Sequence, residues 1–174
     1  ALRDSEPGIR LDAAYSLWRT DRNAEEVVPV LAELLEVPTE YRYRVNVPAT
    51  AAYYLGRIGP SAQAAVPALI NAIQHPKESV RTRAIEALGL IGPAAEPAVP
   101  DLIDMIKTPS PSSTNEIGFA LQALTRIDPE TAVAIIQEQP GAFKALKRRD
   151  YTSANMQYEA YLDSLRRKAQ RTDP

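Results

Sequence analysis

The chain has 174 residues, 45% of them hydrophobic and only 6% aromatic, and a formal net charge of −2. That length is enough to bury a real core, the bulk charge favours no particular partner, and the absence of cysteine excludes disulfides and cysteine-ligated metals. No run of about 18 apolar residues exists, so no membrane-spanning helix is expected.

The first predicted element is a helix through Leu17, Trp18 and Arg19, followed by a second through Val28, Pro29 and Leu31. These positions recur along the chain. Leu17, Leu55, Leu88 and Leu124 are equivalent at separations of 38, 33 and 36, and Val28-Pro29, Val66-Pro67 and Val99-Pro100 keep the same offsets. The agreement is closest between residues 54–73, YLGRIGPSAQAAVPALINAI, and residues 87–106, ALGLIGPAAEPAVPDLIDMI. In the first unit Trp18 stands where later units carry Gly56, Gly89 and Thr125. It is read as a shield for the end of a stack, or else as a contact with a further repeat or another subunit.

Between Leu35 and Val47 the chain is five residues longer than the corresponding connection from Ile73 to Val80, and the extra length carries Tyr41, Arg42, Tyr43 and Arg44. Tyr and Arg are favoured at interaction hot spots, which makes this loop a candidate protein contact. The tyrosines folding back over helix ends is the alternative.

The second unit opens with a helix whose apolar face is Val47, Ala51, Tyr54, Leu55 and Ile58, and the third repeats it with Val80, Ala84, Ala87, Leu88 and Ile91. Gly59-Pro60 and Gly92-Pro93 mark the turns, glycine ending one helix and proline preventing its continuation. Second helices are expected to start near Ala64 and Glu96, because Pro67 and Pro100 are tolerated only near a first turn. Their apolar faces are Val66, Leu69, Ile70 and Ile73, then Val99, Leu102, Ile103 and Ile106. Gly56 and Gly89 are expected to let neighbouring backbones approach, at about 1 kcal/mol of helix propensity each.

Residues 108–114, TPSPSST, read as a plain exposed linker. The fourth unit is short, with Asp128-Pro129 as cap and first position, and Ala132, Ile135 and Ile136 as its apolar face. A last helix is expected through Ala154, Tyr158, Tyr161, Leu162, Leu165 and Ala169, capping the stack. Residues 141–174 hold eight Lys or Arg and four Asp or Glu, a net +4 that leaves −6 for the first 140. Lys144, Lys147, Arg148, Arg149 and residues 166–168 there are read as a solvated face, with contact to an acidic group as the alternative. No alternation of strand type competes anywhere, and the periodicity predicts an all-α solenoid. Its domains are a repeat array over 1–140 and a C-terminal helical cap and basic tail over 141–174, packed on the same domain.

The segment SVRTRAIEALGLIGPAAEPAVPDLIDMI, residues 79–106, resembles a HEAT-like repeat of the short bacterial type also found in phycobilin lyase subunits. The marks are Val80-Arg81, Ala84, Ala87-Leu88, Ile91-Gly92 and Val99-Pro100 followed by Leu102-Ile103. Four units over roughly residues 8–139 share it. The resemblance implies a right-handed superhelix of about four helical hairpins, with second helices lining a concave face that serves as a protein-binding scaffold.

Catalytic constellations are sparse. His75 is the one histidine, beside Pro76 in a loop, and reads as a polar loop residue rather than a base or a metal ligand. Carboxylates lack calcium-loop spacing, glycines fall singly rather than in a phosphate loop, and no nucleophile is paired with a base. No cofactor is expected, and the chain is read as not an enzyme. Arg19, Arg57 and Arg126 are equivalent, with Leu90 interrupting the row; helix-dipole complementarity is the preferred reading and an acidic partner the alternative. On the second helices the equivalent exposed positions are Glu33, Asn71 and Asp104. That face is polar and mildly acidic, which argues against nucleic acid.

A non-catalytic scaffold is therefore expected, its partner another protein or another domain of the parent chain, bound through Glu33, Asn71, Asp104, Trp18 and the Tyr41, Arg42, Tyr43 and Arg44 loop. The resemblance adds a bilin lyase or chromophore-handling subunit as the alternative and a HEAT-like DNA glycosylase as an outsider. A bacterial setting is expected, the compartment is left open with a cytoplasmic one favoured over a periplasmic or exported one, and Ala1 marks a processed, excised or partial chain.

Overall fold

Helical hairpins recur because each unit carries two apolar stripes and a glycine-proline break between them. A computed structural model describes residues 1–38, 46–108 and 114–138, and only the backbone of residues 114 and 115. Among the described residues there are helices and no strands. The fold is an all-α solenoid of helical hairpins, as the periodicity predicts. The chain divides into two units, Ala1–Asp128 and Pro129–Pro174.

In the first unit, first helices α1 (Pro7–Asp21), α3 (Val47–Ile58), α5 (Glu78–Ile91) and α7 (Thr114–Ile127) alternate with second helices α2 (Ala24–Glu33), α4 (Val66–Ala72) and α6 (Val99–Lys107). Helix α3 packs on α5 and α5 on α7 along much of their length, whereas α1 meets α3 over a shorter stretch. Equivalent leucines Leu55, Leu88 and Leu124 are fully buried. Leu17, their counterpart in α1, is only half-buried.

Two glycines explain the close packing. A Cβ on Gly56 would lie 3.1 Å from the Ala87 Cα, and one on Gly89 would lie 2.8 Å from the Ala123 Cα. The row that contains Trp18 therefore faces the following hairpin, and its partners in the next helix are Ala87 and Ala123.

The second helices begin later than the sequence suggests. Gly59 and Gly92 have φ of 71° and 77°, a region open to glycine without strain, and each is followed by a 3₁₀ segment, Gly59–Ala65 and Gly92–Ala98. Gly59, Ala62 and Ala65 are buried, as are Gly92, Ala95 and Ala98. Their spacing of three is the 3₁₀ period, at which side chains eclipse and must be small on a packed face. The α-helices then start at Val66 and Val99, with Pro67 and Pro100 in the first turn. In the first unit Asn23 caps α2 by accepting a hydrogen bond from the Glu26 N–H at 3.3 Å, and Pro29 lies inside the helix.

Polar contacts fix one unit to the next. The Asn46 side chain caps α3 and donates to Ser79 Oγ at 3.0 Å, 33 residues on. Arg81 donates to the carbonyls of His75 and Pro76 at 2.8 and 2.9 Å, and its Nε reaches Glu116 Oε1 at 3.0 Å. Glu116 is 4% exposed, so removing Arg81 would leave a buried carboxyl without its ion-pair partner.

In the second unit the described element is α8 (Pro129–Glu138), with Ala132 and Ile135 buried. The expected helix over 154–169 and the basic tail lie outside the described residues.

Candidate functional site

The sequence-derived candidates fall in three places. Glu33, Asn71 and Asp104 are exposed on α2, α4 and α6, at equivalent positions of three successive second helices. In the first unit's second helices and the segments leading into or out of them, the charged residues are Glu25, Glu26, Glu33, Glu36, Glu96, Asp101, Asp104 and Lys107. All described arginines of that unit lie on first helices or flank them. The second-helix layer is therefore net acidic, whereas the first helices mix both signs, with Asp12, Asp21, Glu78, Glu86 and Glu116 beside the arginines. Tyr41, Arg42, Tyr43 and Arg44 lie outside the described residues.

Trp18, half-buried on α1, belongs to a cluster that sequence reasoning did not assemble. Later hairpins meet through glycine and alanine, Gly56 with Ala87 and Gly89 with Ala123. At the first interface the same two positions carry Trp18 and Tyr54. Bulk replaces the smallest residues, and stacked rings join α1 to α3.

The rings of Tyr15 and Tyr54 stack with centroids 4.2 Å apart and 9° between planes. Trp18 lies 6.4 Å from Tyr15, and Tyr53 lies 5.7 Å from Tyr54 at 52°. Guanidinium groups cover the outer faces: Arg22 is 4.6 Å from the Trp18 ring centre, Arg19 is 5.7 Å from Tyr15, and Arg83 is 5.4 Å from Tyr53. Each such contact contributes about 0.5–1 kcal/mol at an exposed site. Burial raises the Tyr54 phenol above its ordinary 10.0, helped by Tyr15, Asp12 and Tyr53 nearby, so the hydroxyl stays neutral. One sequence signal for this cluster existed, since Tyr15 and Tyr53 are equivalent across the 38-residue offset of the first two units.

Arg19, Arg57 and Arg126 are exposed in the last turns of α1, α3 and α7, where they complement the helix dipoles. Leu90, in the same row, is 45% exposed and rests against the Gly56 position, where its Cδ1 would meet a Cβ at 3.1 Å.

His75 has a local structural task. Its Nδ1 accepts the Lys77 N–H at 3.0 Å, and its carbonyl accepts from Arg81. Burial lowers the imidazole below its ordinary 6.5, with the charges of Lys77 and Arg81 acting in the same direction. Among the described residues no group of three or more His, Cys, Asp or Glu could hold a metal ion, and no helix is long and apolar enough to cross a membrane.

Residues 43–121 match the family model of HEAT repeats. That span takes in α3 to α6 and most of α7, the hairpins in which the glycine-alanine contacts occur. No curated protein matches the chain.

Proposed function

We propose that this HEAT-like repeat array is a non-catalytic scaffold that binds another protein, or another part of its own parent chain, through the exposed row Glu33, Asn71 and Asp104. The observation that carries the reading is the net acidity of the second helices: they present acidic and amide side chains at repeating positions and carry no described arginine, while the first helices hold both signs. A repeated, rigidly spaced row suits an extended partner with basic and hydrogen-bonding groups, because electrostatic complementarity sets partner choice and encounter rate. Its sign runs against a nucleic-acid backbone, which needs clustered Lys and Arg. The engagement of His75 Nδ1 by the Lys77 N–H favours a loop role for the one histidine over proton transfer.

The loop with Tyr41, Arg42, Tyr43 and Arg44 belongs to the same proposal as a second contact. Handling of a bilin by a bacterial protein of the phycobilin lyase type rests on the likeness of the repeats alone, and an absorbance assay for bilin binding or transfer tests it.

The experiment is affinity capture from the native lysate with the full chain, wild type against Glu33→Lys/Asn71→Lys/Asp104→Lys. A specific partner retained by the wild type and lost from the variant is expected. Retention of every partner by the variant would exclude the second-helix row.

A further inference from the structure

The aromatic cluster between α1 and α3 has more features than a packing wedge requires. A spacer needs apolar bulk, and leucine or methionine would supply it without exposure. Here Tyr53 is 41% exposed, and arginines occupy the outward faces of three rings. A guanidinium held over a ring by cation–π attraction keeps N–H donors for bidentate pairing with a planar anion. Arg83 already donates to Glu86 at 2.8 Å. Arg19 and Arg22 are exposed and form no ion pair among the described residues.

Ring faces decide between possible ligands. The Tyr15 and Tyr54 faces are joined to each other, and arginines cover Trp18, Tyr15 and Tyr53. Nucleic-acid bases need free aromatic faces for stacking, and Tyr15 at the centre of the strip has a ring and a guanidinium against it. Discrete carboxylates on a peptide, spaced by apolar side chains, suit pre-oriented guanidinium edges beside an exposed tyrosine.

We propose that the strip of Trp18, Tyr15, Tyr54 and Tyr53 is a second docking surface, which takes an acidic, extended segment of a partner protein, with Asp or Glu side chains on the free edges of Arg19 and Arg22. It lies on the first helices and goes beyond the second-helix row. Either surface can fail without the other.

Trp18 is the one tryptophan in the chain and sits under Arg22, so its fluorescence reports occupancy directly. The probe is a synthetic peptide of repeated Glu-Glu-Val, titrated into the full chain at low ionic strength. A saturable change in Trp18 emission is expected, weakened by added salt. A Lys-Lys-Val peptide should leave the emission unchanged. Arg19→Gln/Arg22→Gln should weaken binding roughly fivefold or more, while Glu33→Lys/Asn71→Lys/Asp104→Lys keeps it. Because both arginines are exposed, the double variant should retain the wild-type far-ultraviolet circular dichroism. The proposal is overturned by the absence of a saturable signal, by equal binding to the double variant, or by tighter binding of single-stranded oligothymidylate than of the acidic peptide. It is also overturned by self-association without peptide that the double variant abolishes, which would make a second copy of the chain the occupant.

Discussion

At the scale of single residues, most of the account rests on side chains whose size is dictated by what lies opposite. Gly89 is the clearest case. Adding one methyl there gains about 1 kcal/mol of helix propensity, yet that carbon would lie 2.8 Å from the Ala123 Cα. Backbone atoms cannot yield as a flexible side chain does, so the packing cost wins. Gly89→Ala should destabilise by about 1–3 kcal/mol, read as a lower denaturation midpoint with an unchanged m-value; a rise in the midpoint would refute the close approach. His75 gives a pH signature. Its folded-state value is lowered from 6.5, so the neutral form is favoured by folding; its contribution is complete above the unfolded value and declines as pH falls below about 6.5. Protonation would also break the hydrogen bond from the Lys77 N–H. Melting temperatures from pH 7 down to 5 should fall more steeply for the wild type than for His75→Asn, and parallel curves would remove this role. The glycines were legible from spacing because Gly56 and Gly89 interrupt otherwise good helices. The Tyr15–Tyr54 stacking was not, since its two members lie 39 residues apart in sequence and meet only once α1 is laid against α3.

At the scale of elements, periodicity located the hairpins and missed their internal joint. Helix pairs, turns and buried leucines follow from apolar spacing of three and four. The 3₁₀ segments Gly59–Ala65 and Gly92–Ala98 carry a weaker signal, small residues every third position, which in sequence looks like the early turn of an α-helix. Pro67 and Pro100 mark the point where α-helix begins in earnest. The interfaces also differ in strength along the array. Leu88 is fully buried between tightly packed first helices, whereas Leu17 is half-buried on a helix held off by rings. Leu88→Ala should cost about 2–5 kcal/mol and Leu17→Ala distinctly less, measured by chemical denaturation of each variant. Equal losses would mean that α1 packs as its successors do.

At the scale of the whole molecule, function follows from what the repeat leaves variable. The repeated pattern fixes leucines, glycines and turns, and these specify a stack of hairpins without specifying a ligand. What distinguishes this chain is the chemistry placed on that scaffold: an acidic and amide row on the second helices, and an arginine-covered aromatic strip on the first. The row was legible in the sequence, because Glu33, Asn71 and Asp104 occupy one repeat position. The strip was only partly so, through Trp18 and the equivalence of Tyr15 and Tyr53. The most direct test of the scaffold reading is calorimetric titration of the captured partner, once purified, into the wild-type chain and into Glu33→Lys/Asn71→Lys/Asp104→Lys, with helicity matched by circular dichroism. The account predicts affinity for the reversed row weaker by about tenfold or more; an unchanged dissociation constant would contradict it.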